Sequence, residues 1–162
     1  MIPTISLVLP TIKYAALVDD GDAPERLRSL PSWLASRVAL LGARIVSARL
    51  EEVGIRRAHY ALLVGLREDG PASQAALGRR LAADRSDMHR TVAELEERGW
   101  IARGRDDSDR RRNVVSLTDR GREALADVDA RVDAAQRELL APLEEGERRE
   151  LVRLLARVLE GG

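Results

Sequence analysis

The chain has 162 residues, with 27 basic and 27 acidic side chains and no cysteine. That length suffices for one domain with a sizeable core, and at net charge zero any attraction to nucleic acid must come from local clustering. Without cysteine there is no disulfide, thiolate nucleophile, cysteine zinc site or thiol redox switch, a composition that fits a reducing cytosol.

The opening stretch, MIPTISLVLPTIKYAALVDDG, is apolar but interrupted by Pro3, Pro10 and Lys13. It lacks both a basic leading segment and the ~20-residue apolar span of a membrane helix, so it reads as neither signal peptide nor anchor. Asp19, Asp20, Gly21, Asp22, Pro24 and Pro31 punctuate the next segment, which makes residues 1–31 an N-terminal extension and linker. Translation starts at Met1 or at Val18.

From 32 to 52, Leu34, Val38, Leu41, Ile45 and Ala48 recur at steps of four and three, the stripe of a long amphipathic helix that Gly54 closes. A second helix follows, with Ile55, Ala58, Leu62, Leu63 and Leu66 on one side and Asp69-Gly70-Pro71 as its stop. Ser73 caps a short third helix with Ala76, Leu77 and Leu81 inward. Asp84, with Asp87 three residues on, resembles a capping box that opens a fourth helix through Met88, Val92 and Leu95 to Gly99. WIARG and NVVSLT are strand-like and flank a charged stretch, so they form a hairpin with a long polar tip closed by Thr-Asp-Arg-Gly. Thr118 or Asp119 caps the next helix, whose Leu125, Val128, Val132, Ala135 and Leu139 alternate by threes and fours. Pro142 ends or kinks it, and a last helix over 144–160 carries Leu151, Leu154, Leu155 and Val158.

A helix-turn-helix followed directly by a hairpin is a winged helix, so the fold is mainly α with a small β-hairpin. The winged helix-turn-helix, residues 55–118, lies between helices at 32–54 and 119–162. Those outer helices exceed what a winged helix of about 65 residues needs, and their apolar stripes have to bury against something. An intertwined two-fold dimer suits them; the competing arrangement is a monomer with its end helices folded back.

In a helix-turn-helix the second helix enters the major groove and its N-terminal residues meet base edges. With Met88, Val92 and Leu95 inward, Arg85, Ser86, Asp87, His89 and Arg90 face outward. Arg85 or Arg90 suits a bidentate contact to guanine, and His89 can donate to a base or a phosphate; an ordinary solvated face would look alike. The hairpin favours DNA. Between Arg98 and Arg112 six arginines stand against Asp106, Asp107 and Asp109. Arg105, Arg110, Arg111 and Arg112 can hold phosphates or enter a narrow minor groove, with Asp109 orienting Arg111.

DRRRNVVSLTDRG, preceded by ELEERGWIARGRDDS, resembles the wing of the MarR family of bacterial transcriptional regulators. The likeness runs from about residue 32 to 160 and includes GPASQAALGRRLAADRSDM and LVRLLARVL. It implies an obligate homodimer through the terminal helices, bound to a pseudo-palindromic duplex operator. Most such proteins repress, and many release DNA when a small aromatic or anionic effector enters the cleft between the dimer helices and the winged domain. The same match implies Asp109 and Arg111 as the wing's orienting pair and makes Ser73 and Gln74 phosphate contacts. His59 and Tyr60 fall where such a cleft is lined, and Trp33 and Arg37 can face the same space; a hydrogen-bonded core tyrosine and a plain core tryptophan are the simpler readings. Arg56 and Arg57 would attract an anion or belong to an exposed helix start.

There is no glycine-rich phosphate loop, nucleophile elbow or metal-spaced ligand set, and His59 and His89 are the only histidines. Neither an enzyme, a metal nor a cofactor is expected. The alternative to a cytoplasmic DNA-binding regulator is a helical dimer that keeps the winged fold only as a protein-interaction module.

Overall fold

The computed structural model describes residues 23–105 and 113–161. The chain divides into two units, Met1–Ile45 and Val46–Gly162. In the first, α1 (Glu25–Arg28) is a single turn, and α2 (Pro31–Glu51) starts and runs on into the second unit. The expected linker is therefore partly helical. Pro31, read as punctuation, opens α2 instead, because the first turn needs no N–H from it. The leader itself lies outside the described residues. Leu34, Val38 and Leu40, on the first three turns of α2, are 46–59% exposed.

The second unit comprises the end of α2, α3 (Arg57–Asp69), α4 (Gln74–Arg80), α5 (Arg85–Glu97), β1 (Ile101–Arg105), β2 (Asn113–Leu117), α6 (Asp119–Leu139) and α7 (Glu145–Glu160). Helix α3 starts later than Ile55, and its inner face differs from the expected one by a residue. Ala58 is exposed while His59 is buried with Leu62, Leu63 and Leu66. One core joins those leucines to Leu77 of α4, Met88, Val92 and Leu95 of α5, Ile101, Val115 and Leu117 of the hairpin, and Leu125 of α6. A smaller cluster gathers Leu50, Ile55, Val128 and Val132, and Tyr60 and Trp100 pack on both. Helix-turn-helix and hairpin thus share a single apolar interior, and burying each such side chain stabilises by about 1.5–3 kcal/mol.

The strands pair antiparallel, from Ile101 opposite Leu117 to Arg105 opposite Asn113. Ala72 adds a bridge to Val115, with N–H···O distances of 3.1 and 2.9 Å. The wing leaves α5 through Gly99 (φ +71°), a left-handed position that favours glycine. It then meets α6 at a crowded junction. The Thr118 hydroxyl donates to Gly99 O at 2.7 Å and accepts from Gly121 N at 3.0 Å, while Thr118 N donates to Trp100 O at 3.0 Å. Thr118, rather than Asp119, is the cap, and Thr-Asp-Arg-Gly starts a helix instead of ending the hairpin. A Cβ on Gly121 would sit 1.9 Å from the carbonyl oxygen of Trp100.

Helix α6 buries the expected Leu125, Val128, Val132 and Ala135. It stops at Leu139 with Leu140 as C-cap, so Pro142 follows the end and kinks nothing. In α7, Glu144 N donates to Glu147 Oε2 at 2.8 Å. Leu151 is half-buried, but Val152, Leu154, Leu155, Val158 and Leu159 are 45–82% exposed.

Gly121→Ala is expected to lower the unfolding free energy by about 1–3 kcal/mol through overpacking. Urea denaturation followed by circular dichroism checks it, and an unchanged midpoint would contradict the packing at Trp100.

Candidate nucleic-acid interface

Ser73 begins the helix-turn-helix as predicted, its Oγ accepting from Ala76 N at 3.2 Å. The chain turns at Ala82 (φ +48°), with Ala83 N bonded to Gly78 O at 3.0 Å. Asp84 then caps α5, its Oδ1 accepting from Asp87 N at 2.8 Å and from the Ser86 hydroxyl at 2.7 Å. These donors, the Asp87 amide first, lower the Asp84 pKa. The cap is one-sided, not a reciprocal box, because the Asp87 carboxylate bonds Arg90 instead.

Met88, Thr91, Val92 and Leu95 are buried, which leaves Arg85, Ser86, Asp87, His89 and Arg90 together on the exposed side of the first two turns. Asp87 holds Arg90 before any ligand arrives. Beside this face a cleft of about 550 Å³ is lined by Gln74, Arg79, Arg85 and Met88 among others. A second groove, of about 430 Å³, runs from Gln74 to Arg103, Arg105 and Asn113 at the base of the wing. Gln74 therefore borders both, and Arg79, which sequence reasoning passed over, joins the same face. Arg79, Arg85 and Arg105 have no ion-pair partner among the described residues. Asp109, Arg110, Arg111 and Arg112 lie outside those residues.

The basic excess counted from Arg98 onward is smaller in space than in sequence. Arg98 spans back to the carbonyls of Val53 (3.4 Å) and Gly54 and lies 5.4 Å over the Trp100 ring. Arg103 pairs with Glu96 at 3.0 Å. Both are fastened to the protein itself.

The residues expected at a ligand cleft are spread over two places. Trp33 and Arg37 are on α2 in the first unit, where the buried Trp33 Nε1 has no hydrogen-bond partner among the described residues. In the second unit Tyr60 donates to Asp129 at 2.9 Å, and Arg67 pairs with the same carboxylate. Burial first, then the Asp129 bond, pushes the Tyr60 phenol up to about 12. His59 is 3% exposed; its Nδ1 accepts from Arg56 N at 3.0 Å and its Nε2 faces Glu94 at 2.6 Å. Burial lowers its pKa against the pull of Glu94. Arg56 pairs with Glu94 as well, and Arg57 is exposed. Among the described residues no cluster of three metal-ligating side chains occurs, and no helix is long and apolar enough to cross a membrane.

Residues 53–112 match the family model described as MarR family. Over 116 residues the chain is 30% identical to the HTH-type transcriptional regulator YdgJ of Bacillus subtilis, covering 71% of each protein. The chain belongs to the MarR family of transcriptional regulators. A transcriptional regulatory protein for the hcr operon of Thauera aromatica is 33% identical over 105 residues, 65% of this chain and 63% of that one. This MarR-family chain is also similar to the crystal structure of a transcriptional regulator from Pseudomonas aeruginosa, with 34% identity, a TM-score of 0.70, and 82% and 99% of the two chains covered. CouR from Rhodococcus jostii RHA1, solved bound to p-coumaroyl-CoA, is 29% identical with a TM-score of 0.71 over 83% of this chain and 95% of its own. The present chain is a DNA-binding regulator with a winged helix.

The neutral Tyr60 phenol contributes stability that is complete below its ordinary value near pH 10 and is lost as pH rises toward about 12. Spectrophotometric titration should show one late phenolate step that Tyr60→Phe removes. A Tyr60 titrating with an ordinary value would contradict its bond to Asp129.

Proposed function

We propose that the protein is a dimeric, sequence-specific repressor released from a pseudo-palindromic operator by a small aromatic or anionic effector. The observation that carries the DNA reading is the face where Arg85, Ser86, Asp87, His89 and Arg90 sit exposed while Met88, Thr91, Val92 and Leu95 anchor α5 in the core. Arg85 and Arg90 contact guanine edges, His89 a base or phosphate, and Ser86 and Asp87 orient their neighbours. Ser73, Gln74 and Arg105 flank that face and hold phosphates, as do Arg110 and Arg112 of the wing. Arg111, oriented by Asp109, enters the minor groove.

The dimer is supported by α7, whose exposed Val152, Leu154, Leu155, Val158 and Leu159 form an apolar face large for an isolated helix. A second copy covers it and sets two recognition helices about one turn of DNA apart. The effector reading draws on CouR, a relative solved with p-coumaroyl-CoA, and on the buried indole N–H of Trp33, which has no hydrogen-bond partner among the described residues. Its candidate contacts are Trp33 and Arg37 in the first unit and, taken separately, His59 and Tyr60 in the second, and a protein acting on DNA works in the cytoplasm at the nucleoid.

Selection of genomic fragments by the purified protein should return a recurrent palindrome whose binding weakens steeply with salt. Arg111→Ala is expected to cost about 1–3 kcal/mol of specific affinity. His89 and Arg90 substitutions should change which sequences are preferred, and a uniform loss would make them phosphate contacts. No enrichment by a folded dimer, with or without added aromatic acids, would favour the protein-interaction module. Removal of residues 143–162 should give aggregated or unfolded chain; a well-folded monomer would contradict the dimer.

A further inference from the structure

A cleft of about 530 Å³ opens where the end of α2, the start of α3 and the second half of α5 meet. Its charged lining is Glu51, Arg56, His59, Glu94, Glu97 and Arg98, and none of these touches the DNA face described above. Glu94 is on α5, beyond the two turns that read DNA, and has two partners on the neighbouring helix: the Arg56 guanidinium and His59 Nε2.

The ring of His59 is fixed by what it must accept. Arg56 N donates to Nδ1 at 3.0 Å, so the proton of the neutral imidazole is on Nε2 and is donated to Glu94 Oε2 at 2.6 Å. Both ring nitrogens are committed, and the bond that Nδ1 accepts requires the neutral form, whereas Nε2–H can donate to Glu94 in either form. An added proton on Nδ1 would point at the Arg56 N–H. It would also place an imidazolium next to the Arg56 guanidinium, whose Nη2 is 3.5 Å from Nε2, and near Arg98. Glu94 favours the charged ring, and Glu51 and Glu97 border the same cleft, but burial and the two guanidiniums oppose it. Charging His59 means turning the ring toward the cleft, which uncaps the first turn of α3 and takes one of the two partners from Glu94.

We propose that Glu94 is the positioning residue of the recognition helix, held by a proton-sensitive clasp of His59 and Arg56, so that protonating His59 loosens α5 and weakens operator binding. This deepens the DNA-binding reading and rests on it. Because burial depresses the His59 pKa below its ordinary value of about 6.5, the clasp is complete above that pH and is lost as pH falls through the depressed value.

The test pairs amide hydrogen exchange of the free protein with operator affinity, at about pH 7.5 and about pH 5, in the wild type and His59→Gln. Glutamine can accept from Arg56 N and donate to Glu94 without titrating. Acid should reduce wild-type protection over residues 93–97, after correction for intrinsic exchange and relative to 125–132, and lower operator affinity about tenfold. His59→Gln should match the wild type within about twofold at the higher pH and change little with acid. His59→Ala, with the clasp gone, should resemble acidified wild type at both pH values. Identical acid responses in the wild type and His59→Gln overturn the proposal. Should His59→Gln fail to fold, Glu94→Gln is measured instead, and protection over 93–97 equal to that of the wild type at both pH values overturns it. If no duplex is preferred at any pH, the DNA reading fails, and the exchange measurement still decides the clasp.

Discussion

The close approach of α6 to the wing governs the rest of the second unit. Gly121 lies so near Trp100 that no side chain fits between them, and the space is used by Thr118, whose one hydroxyl ties Gly99 to Gly121. Because Gly99 is also where the chain leaves α5, this junction fixes three directions at once: that of the recognition helix, of the hairpin and of the long helix that leads away from them. Two core clusters meet at the same place through Trp100. A displacement of α6 therefore cannot be absorbed locally; it has to move the wing or α5, since packed interiors shift between discrete arrangements and do not deform smoothly.

A similar logic holds at the end of α5 away from the reading face. Arg98 binds the carbonyls that close α2, Glu94 is held from α3, and Glu96 pairs with Arg103 of the wing. Three neighbouring elements thus grip the second half of the helix while its first two turns carry exposed side chains. Such an arrangement preorganises the reading residues at little entropic cost, because the backbone that carries them is already immobile and Arg90 is already held by Asp87. The same contacts tie the end of α2 and the start of α3 directly to α5.

Much of this was legible in the sequence, for definite reasons. Periodicity placed the buried faces of α5 and α6, and Ser73, Asp84 and Thr118 could be named as caps because a cap acts on residues two or three positions away. What escaped was long-range. His59 looked like a lining residue because nothing local shows that Glu94, 35 positions on, would take its Nε2. Arg98 and Arg103 looked like wing charge because their partners, Val53 and Gly54 for one and Glu96 for the other, are found only in the folded chain. Gly121 read only as part of the Thr-Asp-Arg-Gly close of the hairpin; its reason for being there is the carbonyl of Trp100, just ahead of β1. The phase of α3 slipped by one residue because Ala58 is as apolar as His59 is polar, and polarity misleads where a buried histidine has both nitrogens satisfied.

The abundance of arginine also takes on a different meaning. In the second unit Arg49, Arg56, Arg67, Arg103 and Arg131 each pair with a carboxylate on another element, and Arg98 binds main-chain carbonyls. Exposed pairs of this kind add little stability apiece, yet their planar, multidentate geometry sets orientation well. These six arginines are thus part of the framework, and a neutral protein does not draw DNA in by its overall field. Attraction has to come from the few guanidiniums left unpaired near α5 and the wing, Arg79, Arg85 and Arg105 among the described residues. On the proposed DNA reading, phosphate contacts add affinity and the outward face of α5 supplies discrimination, so whatever holds α5 in position bears on both.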